Sequence, residues 1–272
     1  MPRFERYHRS RTFWESSLNL IELIYVSIVR SFRSDTGGSL LGFASLLLMP
    51  LMLFTAFYIM FEVFGRRPAI RGDFLIFMMT GIFLYRAHIQ AVQNLRGAGH
   101  AMSGMMFYAK TSTLLSILAA AINQLYIVIL SIIVIMGTAY LIRGHLEVFN
   151  PAGMLLPFFL AWASGLAVGL LFLAFTPLAP SIIPPLYQVY RRAQMITSGK
   201  MFVANSLPTA ILPFFQWNPL FHSIDQARGH AFINYIPRNT WIEYPLYFTL
   251  AALAIGFTTE FAMRARQSYG IE

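Results

Sequence analysis

Residues 208–228 read Pro208-Thr-Ala-Ile-Leu-Pro-Phe-Phe-Gln-Trp-Asn-Pro-Leu-Phe-His-Ser-Ile-Asp-Gln-Ala-Arg228. The stretch is too broken by proline and too polar to cross a bilayer as one helix. Its two apolar clusters, 211–215 and 220–224, suit a segment that dips into lipid and returns. Irregular backbone is tolerated at that depth only where protein or a water-filled cavity covers it. The interruption from 208 to 243 therefore reads as a re-entrant element, over about 208–236, beside a pathway. Asn218-Pro219 is a helix start, and Asp225 and Arg228, three residues apart, share a helical face on which they can pair, with His222 three residues before Asp225. The alternative is an extracellular loop closed by a local ion pair.

The rest of the chain sets this element in a membrane. Of 272 residues, 57% are hydrophobic and 11% charged, far from the roughly 25% charged residues of a soluble domain. Hydrophobic spans of about 20 residues consume nearly all of it and leave no soluble domain of useful size. There is no cysteine, which excludes disulfides, thiol catalysis and thiolate metal sites. The net charge of +9 is what basic residues flanking cytoplasmic span ends produce, without any nucleic-acid partner.

Uncharged runs predict six spans, at about 37–61, 74–96, 111–142, 148–175, 185–207 and 244–263, with the prolines at 177, 180, 184 and 185 turning the chain between the fourth and fifth. Upstream, Arg3, Arg6, Arg9 and Arg11 surround no apolar core, so a cleavable signal peptide is not expected. Trp14, Leu18, Ile21, Tyr25, Ile28 and Phe32 recur at steps of four and three, predicting an amphipathic interface helix within residues 1–36. An ordinary packed surface helix gives the same spacing. Twelve of the 20 basic residues then fall inside and six outside, which orients both termini to the cytoplasm. The fold expected is all-α: six transmembrane helices, an interface helix before them and a re-entrant hairpin before the last.

Catalytic motifs are absent: no His-Glu-x-x-His joins the six histidines, and there is no Gly-x-Ser-x-Gly elbow. Ser198-Gly199-Lys200 lacks the phosphate-loop glycine, having Gln194, and the following Ser or Thr, having Met201. Any ATP and Mg that drive this chain must sit on another polypeptide, and no cofactor or metal is expected here. Two basic residues, Arg86 and Lys200, lie nearest to mid-membrane, where charge usually faces a bundle interior or aqueous cavity. With Tyr58, Tyr85, Trp162 and Tyr187, whose rings can stack on sugars, they are the candidate translocation path. Snorkelling and interfacial belting are the alternatives. Between the second and third spans, His100, Met105, Phe107, Tyr108 and Lys110 belong to a Gly- and Met-rich connector suited to docking in a partner's groove or to resting on the membrane. Gly38-x-x-x-Gly42 and Gly165-x-x-x-Gly169 permit close helix approach.

The order of these parts resembles the permease subunits of type-2 ABC exporters, and within them the inner-membrane proteins of capsular polysaccharide export. Trp217-Asn-Pro-Leu-Phe-His222 followed by Asp225-x-x-Arg228 is similar to the family's pattern before its final span. Leu41-Gly42 leading to Pro50, and Thr80-Gly81-Ile82, are similar to its first- and second-span motifs. Ala109-Lys110-Thr111-Ser112 departs from the proline-flanked basic residue common there, and Ser45 stands near where a tryptophan often follows. The resemblance implies that residues 37–272 form an exporter transmembrane domain in a bacterial inner membrane. It also implies a homodimer with a canal at its interface, coupled to a separate ABC ATPase dimer and exporting a lipid-linked polysaccharide, with room for a periplasmic co-polymerase and an outer-membrane channel. The connector residues His100 to Lys110 then contact the ATPase, and Trp217, Asn218, Pro219, His222, Asp225 and Arg228 form the outer gate. An acidic glycan fits Arg86 and an aromatic-lined path. Export of O-antigen or teichoic-acid glycan, and a non-transport scaffold for glycan assembly, are the other readings.

Overall fold

In the computed structural model the described residues are 70–103 and 113–268, with isolated positions between 29 and 63. The expected interface helix in 1–36, the first span at 37–61 with Tyr58, and the connector residues Met105, Phe107, Tyr108 and Lys110 lie outside the fully described segments.

Seven α-helices and one 3-10 turn, with no strand, make up the regular structure of the described residues. Helix α1 covers Phe74–Ser103, opened by Asp73, whose Oδ1 accepts the Leu75 amide at 2.9 Å. A side-chain acceptor there satisfies a donor that the first helical turn leaves without a partner. Helix α2, Thr113–Arg143, stops where Gly144 takes a φ of +76° and its amide reaches the Tyr140 carbonyl at 2.8 Å, the usual glycine C-terminus. Helix α3 is Leu155–Phe175 and α4 is Ile183–Thr197. Helices α5, Leu212–Gln216, and α6, Pro219–Ala231, follow the 3-10 turn at Ala204–Ser206, and α7 is Glu243–Ser268.

Four of these, α1, α2, α3 and α7, hold stretches long and apolar enough to cross a membrane: Phe74–Gly97, Ala120–Leu141, Leu155–Phe175 and Glu243–Met263. They correspond to the expected second, third, fourth and sixth spans. The fourth starts later than expected because Phe149 and Asn150 are tied by their amides to the Ala231 and His230 carbonyls, at 3.0 and 2.8 Å. The fifth expected span, 185–207, is not one continuous helix. Helix α4 has 15 residues, about 22 Å at 1.5 Å per residue, short of the ~30 Å hydrocarbon core. It ends because Gly199 turns the backbone to a φ of +71°, a conformation that costs side-chain-bearing residues more than glycine.

Helix α3 is the hub, packed along α1 and α7 and against α6. Its approach to α1 uses the glycines marked in the sequence: a Cβ at Gly165 would stand 2.4 Å from the His88 carbonyl, and one at Gly169 would stand 2.9 Å from the Leu95 Cβ. Residue numbers rise together along this seam, so α1 and α3 run in the same direction, while α2 runs against them, with Val128 beside Leu84 and Ile135 and Ala139 beside Met78 and Met79. Helix α6 also runs against α1. Leu220 and Ile224 meet Leu84 and Ala87, Arg228 lies over Phe77, and Ala231 joins Leu75 and Ile76. Its 13 residues, about 20 Å, thus cover only the first half of α1.

Candidate functional site

Ten of the 13 residues of α6 are buried, His222, Asp225 and Arg228 among them. Burying polar groups on this scale is tolerable only where each finds partners. The local sequence starts the helix: Asn218 caps it, its Oδ1 accepting the Leu220 amide at 3.0 Å, and Pro219 occupies the first turn, where its missing N–H is no loss.

Arg228 is 1% exposed. Its Nη1 donates to the Gly199 carbonyl at 2.9 Å and to the Phe202 carbonyl, and Nη2 donates to the Lys200 carbonyl at 2.7 Å. The guanidinium carbon sits 4.2 Å from the Phe77 ring centre. One cation therefore gathers three carbonyls of the turn after α4. Gly81 is what lets that turn approach, since a Cβ there would stand 2.3 Å from the Lys200 carbonyl and 3.0 Å from Arg228 Nη2.

Asp225 serves the other side. Oδ1 accepts the Ala204 amide at 3.2 Å and the Tyr235 hydroxyl at 2.5 Å, and Oδ2 accepts the Thr240 hydroxyl at 2.8 Å. Burial, and behind it the Asp225 carboxylate, pushes the Tyr235 phenol well above its ordinary range, which keeps it a donor. The expected partnership of Asp225 and Arg228 thus takes another form: each ties α6 to different loop groups, one to 199–202 and the other to 204, 235 and 240.

His222 fastens a third corner. Nδ1 accepts the Trp241 amide at 3.0 Å, so Nε2 carries the proton and donates to the Gln216 carbonyl at 2.9 Å. The ring lies 4.7 Å from that of Tyr244 and 5.8 Å from that of Trp241, centre to centre. Burial lowers the imidazole pKa, against the raising influence of its two backbone hydrogen bonds and of Asp225. Trp217 is the exception in this set, 81% exposed, held through its backbone, whose N–H donates to the Phe215 carbonyl and whose carbonyl accepts from Tyr244 Oη at 2.9 Å.

The course of the chain around α6 follows from its bonds. Asn205 Nδ2 reaches the Ile236 carbonyl at 2.8 Å, which puts the 3-10 turn at the end where α6 finishes. Yet Asn218 Nδ2 reaches Gln194 Oε1 at 2.7 Å and Thr197 Oγ1 at 3.0 Å, back at the end of α4. Between α4 and α6 the backbone therefore travels out and returns.

From this joint a polar chain runs into the bundle that the sequence reading missed. Gln194 Nε2 donates to Tyr190 Oη at 2.9 Å, and Tyr190 donates to His88 Nε2 at 2.6 Å. On the far side of the ring, His88 Nδ1 lies 3.0 Å from both the Ala161 carbonyl and Ser164 Oγ. His88 and Ser164 are fully buried. Four helices, α3, α1, α4 and α6, are joined through one line of side chains. The only sequence signal was polar residues inside apolar helices, and nothing paired them.

The expected path residues are spread around these elements. Lys200 is 5% exposed with Nζ 3.7 Å from the centre of the Tyr85 ring, a cation–π pair. Tyr187 is 2% exposed, under the Arg96 guanidinium at 4.4 Å. Trp162 packs against the cluster of Leu84, Phe158 and Leu220. Tyr85 and Arg86 are half-buried. Tyr85 and Lys200 thus come together, Trp162 packs against the same cluster as Tyr85, and Tyr187 packs in another. His100 lies in the final turns of α1. Among the described residues no group of three metal-ligating side chains converges.

No protein-family model matches the chain. It is similar to the polysialic acid transport protein KpsM of Escherichia coli, 24% identical over 254 residues that cover 91% of this chain and 94% of that protein. A second Escherichia coli protein of that name is 24% identical over 191 residues, 68% of this chain and 71% of its own length. The resemblance to capsular polysaccharide export permeases therefore has curated relatives behind it, and the helices described above make the chain a multi-pass membrane protein.

Proposed function

We propose that this chain is the permease subunit of an ATP-driven exporter that moves a lipid-linked, capsular-type polysaccharide across the inner membrane. The observation that carries this reading is the alignment with KpsM, which covers 91% of this chain and 94% of that transport protein and so takes in the interruption before α7 as well as the long helices.

In this reading two copies of the chain enclose a canal, and a separate ABC ATPase dimer supplies ATP and Mg and acts through the segment from His100 to Lys110. Six crossings are completed by residues 37–61 and by α4, continued through the turn to Ser206. Helices α5 and α6 dip into the outer half of the membrane. The half-length burial of α6 against α1 and α3 supports that depth, and its bonds through His222, Asp225 and Arg228 support a gate that moves as one body. Transport then requires α4 and the α5–α6 hairpin to adopt at least two arrangements that nucleotide state biases.

The test is co-expression and co-purification of the chain with a separately encoded ABC ATPase, followed by ATPase assay of the complex. A stable complex, whose activity loses its coupling to transport on disruption of residues 105–110, supports the reading. A chain that purifies without any ATPase, or whose coupling ignores that segment, contradicts it.

A further inference from the structure

Helix α1 changes character halfway along. From Leu75 to Leu84 every residue is buried, and from Tyr85 onward one face is uncovered: Arg86, Gln90, Gln93 and Gly97 are half-buried or exposed. Their steps of four, three and four put them on a single stripe, inside the stretch Phe74–Gly97 that is long and apolar enough to cross a membrane. Such a stripe is costly against lipid and belongs against water or polar groups. The other long helices behave differently. The uncovered faces of α2 and α7 are mainly Leu, Ile, Tyr and Phe, and exposed Thr138, Thr258 and Thr259 turn their hydroxyls back to their own helices at 2.7, 2.7 and 2.8 Å.

Helix α4 continues the stripe. It buries Tyr187 and Gln194 on one seam and exposes Gln188, Arg191 and Arg192 on the adjoining face. Tyr190, next to Arg191, bonds His88 of α1 at 2.6 Å and Tyr187 lies under Arg96 of α1, so the two polar faces adjoin, with Tyr85 within the electrostatic reach of Arg191. Neither helix carries a single Asp or Glu. The segment 37–61, which lies mostly outside the described residues, is also uncharged and offers these cations no counter-ion.

We propose that the α1 and α4 faces carrying Arg86, Gln90, Gln93, Gln188 and Arg191 form the wall that contacts the cargo, and that they take an anionic, hydroxyl-rich polymer. Guanidinium groups bind carboxylates through paired N–H donors. The glutamine amides offer both donor and acceptor to sugar hydroxyls. Tyr85 provides a ring at the junction. Charge complementarity selects the occupant, because a second copy of the chain presenting this same face would bring arginine against arginine. The inference rests on the exporter reading and deepens it, naming which faces meet the polymer and what charge they prefer.

The natural absence of cysteine gives a direct test in the assembled complex. Gln90→Cys and Gln93→Cys are introduced singly and treated with membrane-impermeant thiosulfonates, one anionic and one cationic, which react with a thiol only in water. Leu250→Cys, on the exposed apolar face of α7, is the lipid-facing control. The proposal expects both glutamine positions to react and Leu250→Cys to stay unlabelled. The anionic reagent should be favoured about ten-fold over its ratio on a free thiol, as a positively lined cleft concentrates anions, and Arg191→Gln should reduce that preference. Oligogalacturonate should slow labelling while a neutral maltooligosaccharide does not. No labelling, the result of burial by a second copy or by lipid, overturns the proposal, and so does labelling without anion preference or without protection by the polyanion. The exporter reading falls separately, if cells lacking the chain still export polymer while the wall labels as described.

Discussion

A guanidinium that is 1% exposed persists only because three carbonyls and an aromatic face replace the water it lost. Arg228→Met leaves the carbonyls of Gly199, Lys200 and Phe202 without that donor. A loss on the order of 3 kcal/mol is expected, read as a lower unfolding temperature of the detergent-purified protein. Arg228→Lys should recover part of it, because an ammonium keeps the charge without the planar fork. At Gly81 the constraint is steric: Gly81→Ala forces a Cβ to 2.3 Å from the Lys200 carbonyl, and about 1–3 kcal/mol of destabilisation should follow, with no change at the cytoplasmic side. His222 adds a pH dependence. Its folded pKa is lowered from 6.5 by burial, so the unfolded chain binds the proton more readily. The stability it contributes is complete above the unfolded pKa and declines as pH falls below about 6.5. Thermal melts of wild type and His222→Gln across that range should differ in slope, and parallel curves would exclude His222 as the source.

Helix α6 is the element on which the outer loops depend, and its N-terminus is the weakest joint. Asn218 caps α6 and also bonds Gln194 and Thr197 of α4. Asn218→Ala should cost about 1–2 kcal/mol through the lost cap alone, and more where Gln194 loses its partner. Amide exchange should rise in α6 before it rises in α1, and uniform exchange in both would contradict this hierarchy. The start of α6 was legible in the sequence because Asn-Pro is a local signal for a cap and a first turn. The seam of α1 and α3 was legible as Gly165 and Gly169. The end of α4 was not, since counting uncharged residues gives no weight to a single Gly199. The His88–Tyr190 bond joins residues 102 apart and left no local trace. The stripe at Arg86, Gln90 and Gln93 had the periodicity to be found, but averaging over a whole apolar span conceals one polar face.

At the scale of the whole molecule, four apolar helices supply the frame among the described residues, while α4, α6 and the segment that joins them hold most of the buried polar side chains of the second half of the chain. That division accords with a transporter, whose moving parts need paired polar groups rather than a uniform apolar surface. The line from Ser164 through His88, Tyr190 and Gln194 to Asn218 joins the frame to the movable pieces. His88→Leu should therefore lower export more than it lowers the amount of folded protein in the membrane. Equal losses of both would reduce His88 to a packing role. The central claim, that the chain carries polysaccharide outward, is tested most directly by locating the polymer in cells from which the chain has been removed. The account predicts that polymer and its lipid anchor accumulate inside the cell and that the surface loses them, with restoration by the intact chain. Reduced synthesis without internal accumulation, or an unchanged surface, would contradict it.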